Sequence, residues 1–179
     1  MKVKEIIARS DVRWIPPVGE NKNNPEVSVI LQTFRRAKNG MFERAVQSVL
    51  NQDLKNIELI IVDDCSTDNT DEVLENIKDS RIKYYKNDKN SGAAVSRNKA
   101  LREARGQWIA YLDSDDLWMP EKLEKQLRFM ENNGYAFSYT NYEEIDVNGN
   151  KTGVSVTGPK KITKTGMFNY CWPGCLTVM

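Results

Sequence analysis

The chain has 179 residues and a formal net charge of +1, with 26 lysine and arginine residues against 25 aspartate and glutamate residues. This length supports one domain with a full hydrophobic core, and the balanced charge argues against nucleic acid as a partner. Because histidine is absent, a serine–histidine–aspartate triad is excluded. The sequence shows no membrane-spanning stretch and no signal-peptide pattern, and its three cysteines favour a cytoplasmic protein with reduced thiols.

The first 26 residues differ in character from the remainder of the chain. They contain one or two amphipathic turns, followed by Pro16-Pro17 and a polar run that interrupt regular structure. We expect residues 1–26 to be an N-terminal extension packed on the back of a domain over 27–179, with a partner or membrane-surface contact as the alternative.

From Val27 onward, runs of β-branched residues alternate with amphipathic stretches. Strands are predicted over 27–33, 57–62, 81–86, 107–112 and 135–140, and helices over 41–51, 69–78, 92–105 and 120–133. This alternation is typical of a three-layer α/β/α fold with a mainly parallel sheet and right-handed crossovers.

The pattern changes after Tyr142. Asn148-Gly149 is a hairpin signal, so a two-stranded excursion is predicted over 143–160. A short helix over 165–170 and a strand that begins at Leu176 are predicted to follow.

Acidic residues follow two of the predicted strands. Strand 57–62 leads into Asp63-Asp64, and strand 107–112 leads into Asp113-Ser114-Asp115-Asp116. The carboxyl ends of parallel strands line one crevice in which ligands bind, and a hard cation such as Mg²⁺ or Mn²⁺ relieves the repulsion of adjacent carboxylates. The sequence therefore predicts a metal–diphosphate site, and the alternative is a solvated loop of helix-capping aspartates before Pro120.

Conventional phosphate-binding signatures are absent, because the chain has neither G-x-G-x-x-G after its first strand nor a P-loop. The small residues of Ser91-Gly92-Ala93-Ala94 open a predicted helix, and they favour either an anion at its N-terminus or close helix–sheet packing. Arg97 follows in the second turn of that helix, where it could reach the crevice. Arg35 and Arg36 could meet a phosphate or form a solvated surface pair.

Five segments, in this order and spacing, resemble the inverting glycosyltransferases of family 2, which have the GT-A fold. The segments are 27–30, 48–52, 60–68, Gly92 with Arg97-Asn98, and 111–116. The resemblance runs from Val27 to about Tyr139, and it resumes over 175–179. It implies the N-terminal, donor-binding part of a Rossmann-like nucleotide-diphospho-sugar transferase.

The resemblance implies roles for the residues at the first two strand ends. Thr33 and Phe34 would flank the base and ribose, and Asp64 would hydrogen-bond the pyrimidine ring of a nucleotide. Asp63 would support the loop that carries Asp64. The family often has Pro-Thr-Tyr-Asn after its first strand, whereas this chain has Gln32-Thr33-Phe34-Arg35.

The second set of implied roles belongs to Asp113-Ser114-Asp115, which resembles the DXD signature of the family. Asp113 would lie toward the ribose and a metal-bound water, and Asp115 would ligate Mn²⁺ or Mg²⁺. Ser114 and Arg97 complete the implied nucleotide-binding set, and Asp116 would cap the next turn.

The implied activity is transfer of a sugar from a nucleotide-diphosphate sugar, by default a UDP-sugar, to an acceptor hydroxyl with inversion. The setting would be bacterial surface-polysaccharide synthesis in the cytoplasm, at the inner membrane face, with a glycan or lipid-linked acceptor. The family's general base lies further along the chain, and Glu143, Glu144 and Asp146 match no base motif, so we assign no catalytic base. We expect a chain that ends before this region to bind donor but to transfer sugar poorly, and to self-associate through an apolar seam near Trp172 and Leu176.

Two other functions stay open at this point. A nucleotidyltransferase should carry a glycine-rich basic loop after its first strand, whereas residues 32–40 contain one glycine. A non-catalytic nucleotide-binding module would bind nucleotide without turnover.

Overall fold

In the computed structural model, residues 24–158 and 174–179 are described, so most of the predicted extension over 1–26 lies outside the described residues. Within them, a four-stranded parallel sheet has the strand order β3-β2-β1-β4. The strands are β1 Val27–Thr33, β2 Ile57–Asp63, β3 Ile82–Lys86 and β4 Trp108–Asp113. The helices are α1 Met41–Leu50, α2 Thr70–Asn76, α3 Ala93–Glu103 and α4 Lys122–Asn133.

The central strands β1 and β2 are apolar on both faces because helices cover both faces of the sheet. Val29 and Leu31 belong to a large core that also contains Phe42 of α1 and Met130 of α4. Ile30, which alternates to the opposite face, packs in a second core with Ala100 of α3. The predicted three-layer α/β/α fold is therefore confirmed.

The buried carboxylate of Glu58 fixes the amino-terminal edge of the sheet. It accepts hydrogen bonds from Ser28 Oγ at 2.5 Å, Lys83 Nζ at 2.5 Å and the Arg105 backbone N–H at 2.7 Å. Burial alone would raise the pKa of Glu58, but these bonds hold the pKa below its ordinary value. Gly106 is required beside this network, because a Cβ there would lie 2.4 Å from the Ser28 backbone nitrogen.

The elements predicted before residue 134 are confirmed, with ends that differ by at most two residues. The predicted hairpin is also confirmed as β5 Tyr142–Ile145 paired antiparallel with β6 Lys151–Val156. Its turn contains Gly149 at φ 88°, a left-handed conformation that glycine adopts without strain. The Arg44 guanidinium of α1 donates a 2.8 Å hydrogen bond to the Val147 carbonyl, which ties the hairpin tip to the domain.

Two predictions from the sequence are wrong. Residues 135–140 do not form a strand of the sheet, and Leu176 lies in a short 3-10 helix, Cys175–Thr177, instead of opening a strand. Ser138 exchanges two backbone hydrogen bonds with Met179, at 3.0 and 3.1 Å, so these segments pair with each other over too few residues to make a ladder. The helix predicted over 165–170 lies outside the described residues.

Candidate functional site

A cleft of about 360 Å³ opens where β1 and β4 end. The residues that line it are Gln32, Thr33, Phe34, Arg36, Asp64, Ala93, Arg97, Asp113, Ser114 and Asp115. The structure thus brings together every predicted nucleotide-binding and metal residue except Asp63. The strand register explains this, because Gln32 pairs with Asp113 and Thr33 pairs with Asp63 across adjacent parallel strands.

The loops after β1 and β2 hold strained backbone. Arg35 has φ 55° and Cys65 has φ 66°, and left-handed conformations of this kind cost about 1–3 kcal/mol each for residues other than glycine. The Arg35 N–H donates to Ser66 Oγ at 2.9 Å, and the Ser66 N–H donates to Asp63 Oδ1 at 2.9 Å. Asp63 is fully buried and therefore supports this loop pair from behind the cleft.

Thr33 and Phe34 form the floor of the cleft at the end of β1. Thr33 is 2% exposed, and its Oγ1 has no hydrogen-bond partner among the described residues. The Phe34 ring is partly exposed, and the Arg35 guanidinium carbon lies 4.9 Å from its centroid. An aromatic face and an unpaired hydroxyl suit the ring and hydroxyl groups of a nucleoside.

Asp64 anchors the loop that leads into α3. Its Oδ1 accepts hydrogen bonds from Asn87 Nδ2 at 2.8 Å and the Ser91 N–H at 2.9 Å, and its Oδ2 accepts from the Gly92 N–H at 2.7 Å. Burial would raise the pKa of Asp64, but these bonds hold it below its ordinary value. Backbone N–H groups that could attract a phosphate at the start of α3 therefore already bind a carboxylate of the chain.

Three side chains form a closed hydrogen-bonded group in the cleft. Asp113 Oδ1 accepts from the Arg97 guanidinium at 2.8 Å and from Gln32 Nε2 at 2.5 Å. Arg97 Nε in turn donates to Gln32 Oε1 at 3.1 Å. Sequence reasoning did not include Gln32 in the site. Its contribution depends on the adjacency of β1 and β4, which places it opposite Asp113.

The second described segment reaches this group through Cys175. Burial raises the pKa of the Cys175 thiol to about 11, and the negative charge of Asp113 nearby acts in the same direction. The thiol therefore stays protonated near neutral pH instead of acting as a thiolate.

Three carboxylates, those of Asp113, Asp115 and Asp116, lie close together at the end of β4. Burial raises the pKa of Asp116 to about 6, and the charges of Asp113 and Asp115 add to this effect. Asp115 is partly exposed and lies 3.3 Å from the Arg36 guanidinium across the cleft. A cation bound at this point would relieve the repulsion between the carboxylates.

The described residues contain no group of three or more acidic or cysteine side chains that could enclose a metal by itself. Mg²⁺ and similar ions in phosphate sites typically take one or two protein carboxylates, with phosphate oxygens and waters as the remaining ligands. Asp115, which is partly exposed in the cleft, fits that smaller contribution. Over the same described ranges, no helix combines the length and apolar character needed to cross a bilayer.

The model of glycosyl transferase family 2 matches residues 28–175 of the chain. The chain belongs to glycosyl transferase family 2. This match includes both acidic strand ends and the whole β5–β6 hairpin, and it confirms the resemblance inferred from the sequence.

Two curated relatives of this family-2 chain are bacterial. The putative teichuronic acid biosynthesis glycosyltransferase TuaG of Bacillus subtilis is 43% identical over 157 residues, covering 87% of this chain and 62% of the relative. The Escherichia coli protein WfaP, named UDP-Glc:alpha-D-GlcNAc-diphosphoundecaprenol beta-1,3-glucosyltransferase, is 44% identical over 153 residues, covering 86% of this chain and 59% of WfaP. The chain therefore spans less than two thirds of either relative.

Solved structures of glycosyltransferases resemble the family-2 chain as well. The Staphylococcus aureus protein TarS (residues 1–349) in complex with UDP-GlcNAc has a TM-score of 0.57 and 30% identity, over 63% of this chain and 33% of TarS. A Pyrobaculum calidifontis mannosyltransferase in complex with GDP-Man and Mn²⁺ has a TM-score of 0.54 and 25% identity, over 71% of this chain and 37% of that protein.

Proposed function

We propose that these residues bind the donor of a glycosyltransferase that transfers a sugar from a UDP-sugar to an acceptor hydroxyl with inversion. The observation that carries the proposal is the convergence of Asp64, Arg97, Asp113 and Asp115 on one cleft at the carboxyl ends of β1, β2 and β4. Ligands of open α/β sheets bind at this edge. In this proposal residues 27–179 belong to the donor-binding domain and residues 1–26 precede it as an extension.

The nucleoside would lie over the end of β1. Phe34 would stack on the base. Thr33 Oγ1, which is buried without a partner in the described residues, would form a hydrogen bond with the nucleoside, as either donor or acceptor. Asp64 keeps the start of α3 in place and forms one wall of the cleft. This arrangement gives Asp64 a positioning role toward the base.

The diphosphate would lie toward the loop after β4. Asp115 would ligate Mn²⁺ or Mg²⁺, with Asp113 toward the ribose and a metal-bound water, and such an ion supplies charge neutralisation for the departing nucleoside diphosphate. Arg36 is half-exposed beside Asp115, where its guanidinium can exchange the carboxylate for a phosphate oxygen. Arg97 and Gln32 both hydrogen-bond Asp113 Oδ1, and in this proposal they hold Asp113 toward the ribose.

The acceptor in this proposal is a lipid-linked or free glycan, and the setting is bacterial surface-polysaccharide synthesis at the cytoplasmic face of the membrane. The names of two relatives support it, since one refers to teichuronic acid biosynthesis and the other to a diphosphoundecaprenol-linked acceptor. The UDP-GlcNAc complex of a structural neighbour supports a UDP-sugar as the donor.

A calorimetric screen of UDP, GDP, CDP and dTDP, each with and without Mn²⁺, tests the donor assignment. We expect UDP to bind most tightly and Mn²⁺ to strengthen its binding, because the ion offsets charge on both the diphosphate and the carboxylates. Tighter binding of GDP or dTDP than of UDP would refute the base assignment, and binding that Mn²⁺ does not change would refute the metal assignment. UTP in the same screen would reveal a nucleotidyltransferase if it bound much more tightly than UDP.

A further inference from the structure

A second cavity, of about 100 Å³, lies beside the donor cleft. Its walls come from the start of α1, from the loop after β4 and from the tip of the β5–β6 hairpin. Asp115 lines both this cavity and the donor cleft, so the two spaces meet at the carboxylate proposed as the metal ligand.

We infer that this second cavity binds the terminal sugar of the acceptor, an inference that rests on the proposed transferase function. A transfer between two substrates requires the acceptor hydroxyl to lie beside the carbon that leaves the diphosphate. A sugar in the second cavity would contact Asp115, which is next to that position. The hairpin, which does not line the donor cleft, then forms the outer wall of an acceptor subsite.

The lining of the cavity matches the two kinds of surface on a sugar ring. Met41, Leu117, Ile145 and Val147 supply apolar walls for the C–H face of a ring. Ile145 is 38% exposed and Val147 is 65% exposed, which leaves their side chains available to a ligand. The Asp115 carboxylate can accept hydrogen bonds from the hydroxyl groups at the ring edge.

The hairpin tip is held in place before any ligand binds. Arg44 donates to the Val147 carbonyl at 2.8 Å. Asp146, although it lines the cavity, accepts hydrogen bonds from the Asn148 and Asn150 N–H groups at 2.8 and 2.9 Å and is thereby committed to the turn. A preformed wall lowers the entropic cost of binding.

The test compares Val147→Asp with the matched control Val154→Asp. Val154 is 48% exposed in the same hairpin but does not line the cavity. Calorimetry on the full chain with Mn²⁺ measures the affinities for three ligands. The first two are UDP and UDP-glucose. The third, titrated in the presence of UDP, is an acceptor analogue in which N-acetylglucosamine is joined through an α-diphosphate to a short alkyl chain. We expect Val147→Asp to weaken the third ligand at least tenfold and to leave UDP and UDP-glucose unchanged, whereas Val154→Asp should resemble the wild type for all three.

Each other outcome overturns the inference in a distinguishable way. Equal effects of the two variants on the acceptor analogue, or no binding of that analogue to a wild-type chain that binds UDP, would overturn the subsite and leave the donor site intact. Weaker binding of UDP-glucose but not of UDP to Val147→Asp would assign the cavity to the donor sugar. Failure of the wild-type chain to bind UDP would overturn the proposed function, and the subsite with it.

Discussion

Replacing Asp64 with asparagine should loosen the entrance to α3 and destabilise the whole domain. The carboxylate accepts three hydrogen bonds of 2.7–2.9 Å, two of them from the backbone N–H groups of Ser91 and Gly92. An asparagine side chain keeps one acceptor oxygen and turns an N–H₂ group toward one of these donors. A buried donor left unpaired costs about 1–3 kcal/mol, and the loss of a charge-assisted bond adds a similar amount, so we expect a loss of roughly 2–6 kcal/mol.

Urea denaturation followed by circular dichroism measures this loss, and calorimetry measures UDP affinity on the same samples. Asp88→Asn is the control, because Asp88 is an exposed acid in the loop before α3 that Asp64 anchors, and its replacement removes the same charge. The control should stay within about 0.5 kcal/mol of the wild type, as is usual for exposed substitutions. A free energy of unfolding for Asp64→Asn that equals that of Asp88→Asn would refute the anchoring role of Asp64.

The same carboxylate predicts a pH dependence. The folded-state pKa of Asp64 is lowered from its ordinary value of 3.8, so its contribution to stability is fully present above pH 3.8 and is lost as the pH falls through the folded-state pKa. The stability difference between the wild type and Asp64→Asn should therefore be constant near neutral pH and should shrink below pH 3.8. A difference that grows as the pH falls would contradict this sign.

Three further substitutions separate the metal, the nucleotide and the scaffold. Asp115→Asn should reduce the affinity for UDP in the presence of Mn²⁺ to the value measured without the metal. The free energy of unfolding should hold or rise, because like-charge repulsion falls and the exposed ion pair with Arg36 is worth at most about 1 kcal/mol. A variant that does not fold would show that Asp115 has a structural role instead. Gln32→Ala should weaken UDP binding roughly tenfold by calorimetry, since Asp113 loses one of its two clamps, and an unchanged Kd would contradict this. Glu58→Gln should cost about 1–3 kcal/mol in urea denaturation and leave UDP affinity unaltered, and a changed affinity would show coupling between the two edges of the sheet.

Local patterns in the sequence were sufficient for the sheet and its flanking helices. In β2, every residue is buried, and a mainly apolar run such as Leu59–Val62 is what burial on both faces requires. In α1, Phe42, Val46 and Val49 recur at helical spacing, and all three are buried. Because period and polarity are properties of neighbouring residues, these elements could be predicted without knowledge of their partners.

Charge in the sequence marked part of the candidate site, and the family resemblance added the uncharged residues Thr33, Phe34 and Ser114. The two acidic strand ends pointed to Asp64, Asp113 and Asp115, because clustered carboxylates at the ends of parallel strands are costly without a ligand. Gln32 carries no charge, and its importance comes from the β1–β4 register that places it opposite Asp113. Strand order is a long-range property, so no local pattern could reveal that contact.

Tertiary contacts also determined the positions of residues 135–140 and of the β5–β6 hairpin. The composition of residues 135–140 suggests a strand, yet Ser138 pairs with Met179, a partner 41 positions later in the sequence (179 − 138). The hairpin was visible from Asn148-Gly149, but its contact with Arg44 and the cavity beneath it depend on how the chain returns to α1. Local sequence thus determined which elements form, and the packing of distant elements determined which side chains share a site, since hydrogen bonds and cavities depend on positions in space.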